Sequence, residues 1–248
     1  MSAHDALGAI FMSGIVSFRR PDGETCSGFY VEPAGDTSAP GIVVIQEWWG
    51  INDQIKGVAR RLADAGYRAL VPDLYRGKIG VDAEEAGHLM NQLDFVDAAS
   101  QDVRGAATNL KAAGSKVAVI GFCMGGALSL ISATKAPELD AVVCFYGMPP
   151  LDFIDASQIK APIQGHFAMN DAFFDVKNVD LLDQKLKQAN VSHEFYKYDA
   201  MHAFANETAI DMPIPVKYDS AAAELAWQRT LDFLQRVLRR DAPMVTGR

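Results

Sequence analysis

The chain is 248 residues long and 49% hydrophobic, which is enough to bury a large core, and α/β proteins of this length are commonly built as one unit. We therefore predict a single domain over residues 1–248. Lys and Arg number 23 against 31 Asp and Glu, so the net charge is −8, and no segment combines basic with aromatic residues. This balance argues against a nucleic-acid partner.

Cysteine usage and the start of the chain predict a cytoplasmic protein with no membrane partner. Cys26, Cys123 and Cys144 cannot all pair, and a chain this large and apolar does not need disulfide bonds. Residues 1–14 contain no Lys or Arg, so the basic start of a signal peptide is lacking. Residues 117–134 are uncharged over a membrane-spanning length, but the glycines in their middle predict a strand, a turn and a buried helix instead.

Hydrophobic periodicity predicts strands that alternate with helices after an initial hairpin. In chain order the predicted strands are 15–19, 26–32, 41–46, 68–72, 116–120, 139–145, 161–167 and 192–198. The predicted helices are 54–65, 83–93, 98–113, 125–134, 179–188 and 221–238, and the tail from residue 239 is expected to fray. This alternation indicates an α/β fold with an open, mostly parallel sheet, helices on both faces and an N-terminal antiparallel hairpin. A (β/α)₈ barrel would give the same alternation.

The segment Gly121-Phe122-Cys123-Met124-Gly125-Gly126 joins a predicted strand to a predicted helix and resembles a nucleophile elbow with cysteine as the nucleophile. Such a turn holds the nucleophile in a strained backbone conformation, so the residues two before and two after it need to be small. The following helix would favour a thiolate through its N-terminal dipole. The alternative is that Cys123 is a small buried packing residue and the glycines only allow close strand-to-helix packing.

Two later residues weaken that alternative. Proteins with this elbow place their triad in the chain order nucleophile, acid and histidine, and here the order is Cys123, Asp171 and His202. Asp171 follows the predicted strand 161–167, and His202 lies in a loop after the strand 192–198. Asp175 competes for the acid role, but it precedes a predicted helix closely and is assigned as its cap.

Glu47 ends the apolar strand 41–46, where an unpartnered carboxylate would be costly. It either holds a turn or lies beside Cys123. In the second case it would accept the thiol hydrogen bond at rest, raise the pKa of the thiol and protect it from oxidation. The backbone N–H groups of Met124 and Trp48 are the predicted oxyanion hole. Trp49 and Tyr146 are candidate substrate-binding residues, although packing is the commoner role of such side chains.

Taken together, Gln46-Glu47-Trp48-Trp49-Gly50, Val71-Pro72-Asp73-Leu74-Tyr75, the cysteine elbow, Tyr146-Gly147, Asp171 and His202-Ala203-Phe204 resemble the dienelactone hydrolase (carboxymethylenebutenolidase) family over nearly the whole chain. The resemblance implies an α/β-hydrolase fold, a Cys123–His202–Asp171 triad and Glu47 as the resting partner of the thiol. It also implies a small-molecule lactone or ester substrate, no cofactor and no metal, and we expect a monomer or small homo-oligomer.

The resemblance fails where the family holds a substrate carboxylate with two arginines. One of them lies four residues after the catalytic histidine, and that position is Asn206 here. The second lies after the Asp-Leu-Tyr strand end, where this chain has Arg76-Gly77-Lys78, so Arg76 and Lys78 are the candidate substrate-binding cations. Asparagine supplies neither the charge nor the fork of arginine, so dienelactone itself is not the expected substrate.

A thiolate is expelled easily from a tetrahedral intermediate, so we predict a cysteine-dependent hydrolase of enol lactones or activated esters that works through a thioester. A carboxylesterase or thioesterase acting on a neutral substrate is the close alternative. A DJ-1-type redox sensor or glyoxalase also has a cysteine elbow, but it lacks a late aspartate and histidine in this order. A non-catalytic binding module on a hydrolase scaffold is the third alternative.

Overall fold

A single eight-stranded sheet organises the computed structural model, which describes residues 12–112 and 114–239. The strands are β1 (Met12–Arg19), β2 (Thr25–Glu32), β3 (Gly41–Ile45), β4 (Arg68–Pro72), β5 (Val117–Phe122), β6 (Ala141–Phe145), β7 (Ile163–Asn170) and β8 (His193–Met201). Their order across the sheet is β1-β2-β4-β3-β5-β6-β7-β8. The sheet has free edges at β1 and β8, so the open sheet is confirmed and the barrel alternative is wrong.

The helices lie on both faces of this sheet. They are α1 (Asp53–Asp64), α2 (Ala83–Gln92), α3 (Phe95–Asp97), α4 (Arg104–Lys111), α5 (Met124–Lys135), α6 (Lys177–Gln188) and α7 (Ser220–Leu238). Two separate sets of buried side chains fill the space between the helices and the sheet, one on each face. No helix in the described ranges is long and apolar enough to cross a bilayer.

The predicted hairpin is present at the edge of the sheet. β1 and β2 pair antiparallel, with Phe18 opposite Cys26, and β2 pairs antiparallel with β4. The remaining neighbours pair in parallel. β3 and β5 are buried along their whole length, as expected for strands covered by helices on both faces.

The helix predicted over 98–113 differs from the structure. It begins earlier, at Phe95, because Asp94 accepts hydrogen bonds from the N–H groups of Val96 and Asp97. It also contains a π-helical stretch, Ala98–Val103, between α3 and α4. Its predicted last residue, Ala113, and the tail beyond Arg239 lie outside the described residues.

The strand predicted over 192–198 continues to Met201, so Asp199 and Ala200 belong to β8 rather than to a loop. After a bulge in β8, where Asp199 and Ala200 face Met169 of β7, Asn170 pairs with Met201 and the two strands stay together at their ends. The burial alternation also continues through these residues, because Tyr198 and Ala200 are buried while Asp199 is exposed.

The carboxyl ends of the parallel strands meet at one edge of the sheet, where binding residues collect in open α/β folds. Glu47 lies just after β3, Cys123 just after β5, Asp171 just after β7 and His202 just after β8. The fold therefore brings the candidate residues to the same end of the sheet.

Candidate active site

Cys123 occupies a sharp turn between β5 and α5. Its φ of 55° and ψ of −119° lie outside the conformations that L-residues usually adopt, as expected for a strained elbow. A Cβ at Gly121 would overlap the backbone carbonyl of Gly125, and a Cβ at Gly125 would overlap the carbonyl of Gln46. Both glycines are therefore required by close backbone approach, and the half-buried Cys123 side chain is presented to the cavity.

The predicted oxyanion hole has two free donors. Met124 is the first residue of α5, where a backbone N–H has no partner in the preceding turn. Trp48 lies in the loop after β3 and also lines the cavity. Neither N–H donates a hydrogen bond to the protein within the described residues. The N-terminal dipole of the 12-residue α5 adds positive potential beside Cys123.

Asp171 and His202 form a short buried pair. Nδ1 of His202 and Oδ2 of Asp171 are 2.7 Å apart, and the Asp171 side chain is fully inaccessible to solvent. The other Asp171 oxygen accepts the N–H of Phe173 at 2.9 Å. Asp175, the competing carboxylate, is exposed and accepts the N–H of Lys177, the first residue of α6; it lies one residue before the N-cap, Val176, rather than at the cap itself.

The backbone of His202 is also held on its far side. His202 forms a parallel bridge with Val216, and its carbonyl accepts the N–H of Lys217 at 3.0 Å. The connection 205–218 thus returns to the histidine, and several of its side chains line the cavity. These contacts fix the backbone of His202, and the hydrogen bond to Asp171 orients its imidazole.

The second ring nitrogen of His202, Nε2, is buried and has no hydrogen-bond partner of full geometry in the described part of the chain. Burial by itself would lower the pKa of His202. The Coulomb interaction with the Cys123 sulfur and hydrogen bonding to Asp171 and Cys123 outweigh burial and raise that pKa to about 10. The geometry and the electrostatics therefore couple Nε2 to the Cys123 sulfur.

Glu47 is buried, with 4% of its surface exposed, but it is not bonded to the thiol. Its Oε1 accepts the Tyr146 hydroxyl at 3.2 Å, and its Oε2 accepts the Asn206 amide at 2.7 Å. No hydrogen bond joins Glu47 to Cys123 among the described residues. Desolvation raises the pKa of Glu47, while His202 and these two donors act to lower it.

Asn206 is a structural partner of Glu47 in this chain. It is 2% exposed, and its Oδ1 accepts both the backbone N–H and the hydroxyl of Thr208. All of its polar atoms are therefore directed to protein groups. Tyr146 is fully buried, and its ring stands edge-on to that of His202 with centroids 5.2 Å apart.

Arg76 and Lys78 do not reach the cavity, so their prediction as substrate-binding residues is wrong for this structure. Nη2 of Arg76 contacts both carboxylate oxygens of the buried Asp102 at 2.9 Å, and Nη1 donates to the carbonyl of Asp73 at 2.7 Å. Asp102 is a buried acid that attracts the guanidinium away from the site. Lys78 is exposed on the loop after β4.

A cavity of about 660 Å³ opens above the Cys123 thiol. Trp48, Trp49 and Tyr146 line it, as predicted. Sequence reasoning missed most of its walls, which come from the start of α3, from the segment after β6 and from Phe173 and Phe174. Phe173 is 51% exposed, and its ring lies 4.6 Å from that of His202. In the sequence, the one signal that Phe173 lines the site was its position two residues after Asp171.

Comparison with known proteins identifies the family to which this chain belongs. Residues 26–238 match the dienelactone hydrolase family. "Protein usf" of Aquifex pyrophilus is 36% identical, and the match covers 92% of this chain and 100% of that protein. The "Putative carboxymethylenebutenolidase" of Aquifex aeolicus is 32% identical with the same coverage. This chain is an α/β-hydrolase; it belongs to the dienelactone hydrolase family and is a carboxylic ester hydrolase.

A solved structure supports the same assignment. The dienelactone hydrolase-like promiscuous phosphotriesterase from metagenomic libraries is 27% identical and superposes with a TM-score of 0.78 over 93% of this chain and 100% of that one. An esterase of Pyrococcus furiosus, at 19% identity, shares the fold with a TM-score of 0.66 over 92% of this chain and 94% of its own.

Proposed function

We propose that this chain hydrolyses enol lactones or activated esters through a Cys123–His202–Asp171 triad and a thioester intermediate. The observation that carries the proposal is the arrangement of His202. Its Nδ1 is held 2.7 Å from Asp171, while its buried Nε2 has no partner of its own and interacts electrostatically with Cys123. A histidine oriented in this way is a general base for one particular thiol.

Acylation begins with the Cys123 proton already on Nε2 of His202, because the Cys123 sulfur holds the pKa of His202 well above its usual value. The sulfur then bonds to the carbonyl carbon, and the negative charge moves to the carbonyl oxygen, where the N–H groups of Met124 and Trp48 stabilise it. Collapse of this intermediate breaks the bond to the leaving oxygen, which takes the proton from His202 when it needs one. The products of this half-reaction are the thioester and the alcohol or enol.

Deacylation repeats the sequence with water. His202 removes a proton from water, the hydroxide oxygen attacks the thioester carbon, and the sulfur leaves as thiolate. The protonated His202 beside that thiolate is the resting pair, so the cycle is closed. Asp171 keeps its hydrogen bond to Nδ1 and stabilises the imidazolium in each half.

The nucleophile sets the preference for activated esters. A thiolate leaves a tetrahedral intermediate more readily than an amine, which has to be protonated first, so an amide substrate would return to starting material. An enolate or a nitrophenolate leaves without much acid assistance. We therefore expect esterase and lactonase activity far above amidase activity.

The direct test measures kcat/KM for p-nitrophenyl acetate in the wild type, in Cys123→Ala and in the matched control Cys26→Ala. Cys26 is a buried free cysteine on β2, away from the cavity. Activity should be lost only in Cys123→Ala. Turnover that survives in Cys123→Ala would refute the triad, and selective oxidation of Cys123 with no ester turnover in the wild type would support the redox alternative.

A further inference from the structure

The charged groups of the catalytic cavity do not suit an anionic substrate. Its lining within the described residues includes the carboxylates of Glu47 and Asp94 and the imidazole of His202, but no Lys or Arg. Of the two cations on the loop after β4, Arg76 is paired with Asp102, and Lys78 is exposed and does not line the cavity. A substrate carboxylate in this cavity would lose its water and gain no cationic partner, which is costly.

The cavity extends away from Cys123 along one face of α5. Met124, Ala127 and Ile131 are three and four residues apart on α5 and all line the cavity. Residues at this spacing lie on one face of a helix, so the lining follows α5 for about 10 Å away from Cys123 at 1.5 Å per residue. Ile131 lies at the far end of this face.

Apolar side chains from other segments also line the cavity. Leu93 and Phe95 contribute from the junction of α2 and α3, and Pro150 and Phe153 from the segment after β6. Val96, Phe153 and Phe173 are more than one-third exposed at the cavity, so the apolar surface continues to solvent. Exposed large apolar side chains around a cavity mark a binding surface for an apolar group.

We propose that the substrate is an uncharged ester whose acyl group is an extended apolar chain lying along the Met124–Ala127–Ile131 face of α5. The inference rests on the proposed function, because that function places the leaving oxygen beside His202. The carbonyl oxygen then lies at the N–H of Met124, and the acyl group extends past the Met124 side chain along α5. Burying each added methylene should raise kcat/KM about fourfold until the chain reaches Ile131.

The test uses p-nitrophenyl esters from acetate to decanoate below their micelle concentrations, with the wild type and Cys123→Ala. We expect kcat/KM to rise about 250-fold over the four methylenes added from acetate to hexanoate. The anionic p-nitrophenyl hemisuccinate should react at least about tenfold more slowly than the uncharged pentanoate of similar length. A flat or falling series, or a preference for hemisuccinate, would overturn the inference.

Two variants of Ile131 test the direction of the chain. Ile131→Phe should lower the ratio of decanoate to acetate turnover, and Ile131→Ala should raise it by opening the far end. Leu225→Phe, an exposed position on α7, makes the same kind of change outside the cavity and should leave the ratio unchanged. If both Ile131 variants keep the wild-type ratio, the chain does not follow α5. Loss of Cys123 dependence for every ester would refute the proposed function instead.

Discussion

Replacing Asp171 by Asn tests the most specific contact of the site. The substitution keeps the size of the side chain but removes its charge from a hydrogen bond of 2.7 Å whose acceptor is fully buried. The loss of a hydrogen bond to a charged group costs about 1.5–3 kcal/mol, which is at least about tenfold in rate when the imidazolium forms in the transition state. Loss of control over the His202 tautomer raises the effect to as much as about 10⁴-fold.

The assay is kcat/KM for p-nitrophenyl acetate as a function of pH, with urea denaturation to show that the variant is folded. Asp175→Asn is the matched control, because Asp175 lies four residues later and accepts only the N–H of Lys177. It should keep wild-type activity. If Asp171→Asn stays within about threefold of the wild type, or if Asp175→Asn falls as far, the assignment of Asp171 as the orienting acid is refuted.

Three further predictions follow from individual contacts. In Cys123→Ala the pKa of His202, about 10 in the intact site, should fall, because the Cys123 sulfur is the largest influence that raises it. An unchanged titration of His202 by NMR would contradict the pairing of His202 with Cys123. Burial lowers the pKa of His166 to about 3, so between about pH 6.5 and pH 3 only the unfolded state binds this proton. The free energy of unfolding therefore falls as the pH falls, by roughly 3 kcal/mol at pH 4. His166→Gln should flatten that loss in urea titrations, and an equally steep profile would show that another group is responsible. Gly121→Ala should destabilise the chain by about 1–3 kcal/mol, because the new Cβ would overlap Gly125. Gly57→Ala in α1 is the control: a Cβ there meets nothing within 4 Å, so it should stabilise the chain by roughly 0.5–1 kcal/mol. Equal effects of the two substitutions would contradict the elbow argument.

Local sequence signals were sufficient for the fold and for the placement of the candidate triad. Strand and helix periodicity placed Cys123, Asp171 and His202 after strands, and parallel strands bring such positions to one edge of the sheet. The glycines flanking Cys123 carried a steric requirement that can be read without coordinates. The end of β8 was misplaced because Asp199 is a poor strand former, although its exposed position preserves the alternation.

Contacts between distant segments could not be read in this way. Asn206 was noticed only as a missing arginine, yet it is the donor that holds Glu47, from which it is separated by 159 residues. Arg76 was assigned to the substrate because of its charge, and nothing in its own segment indicates that Asp102, on the π-helical stretch, binds it. Side-chain pairing of this kind depends on how the loops pack after the sheet has formed.

The thioester on Cys123 is the central claim, and intact-protein mass spectrometry after rapid acid quench tests it most directly. With p-nitrophenyl hexanoate we predict a mass increase of one hexanoyl group in the wild type, located by proteolysis to the peptide that contains Cys123 and released by hydroxylamine. His202→Asn should accumulate more of this adduct when deacylation is slowed more than acylation. Cys123→Ala should form none. An adduct on another residue, or full turnover by Cys123→Ala, would contradict the account.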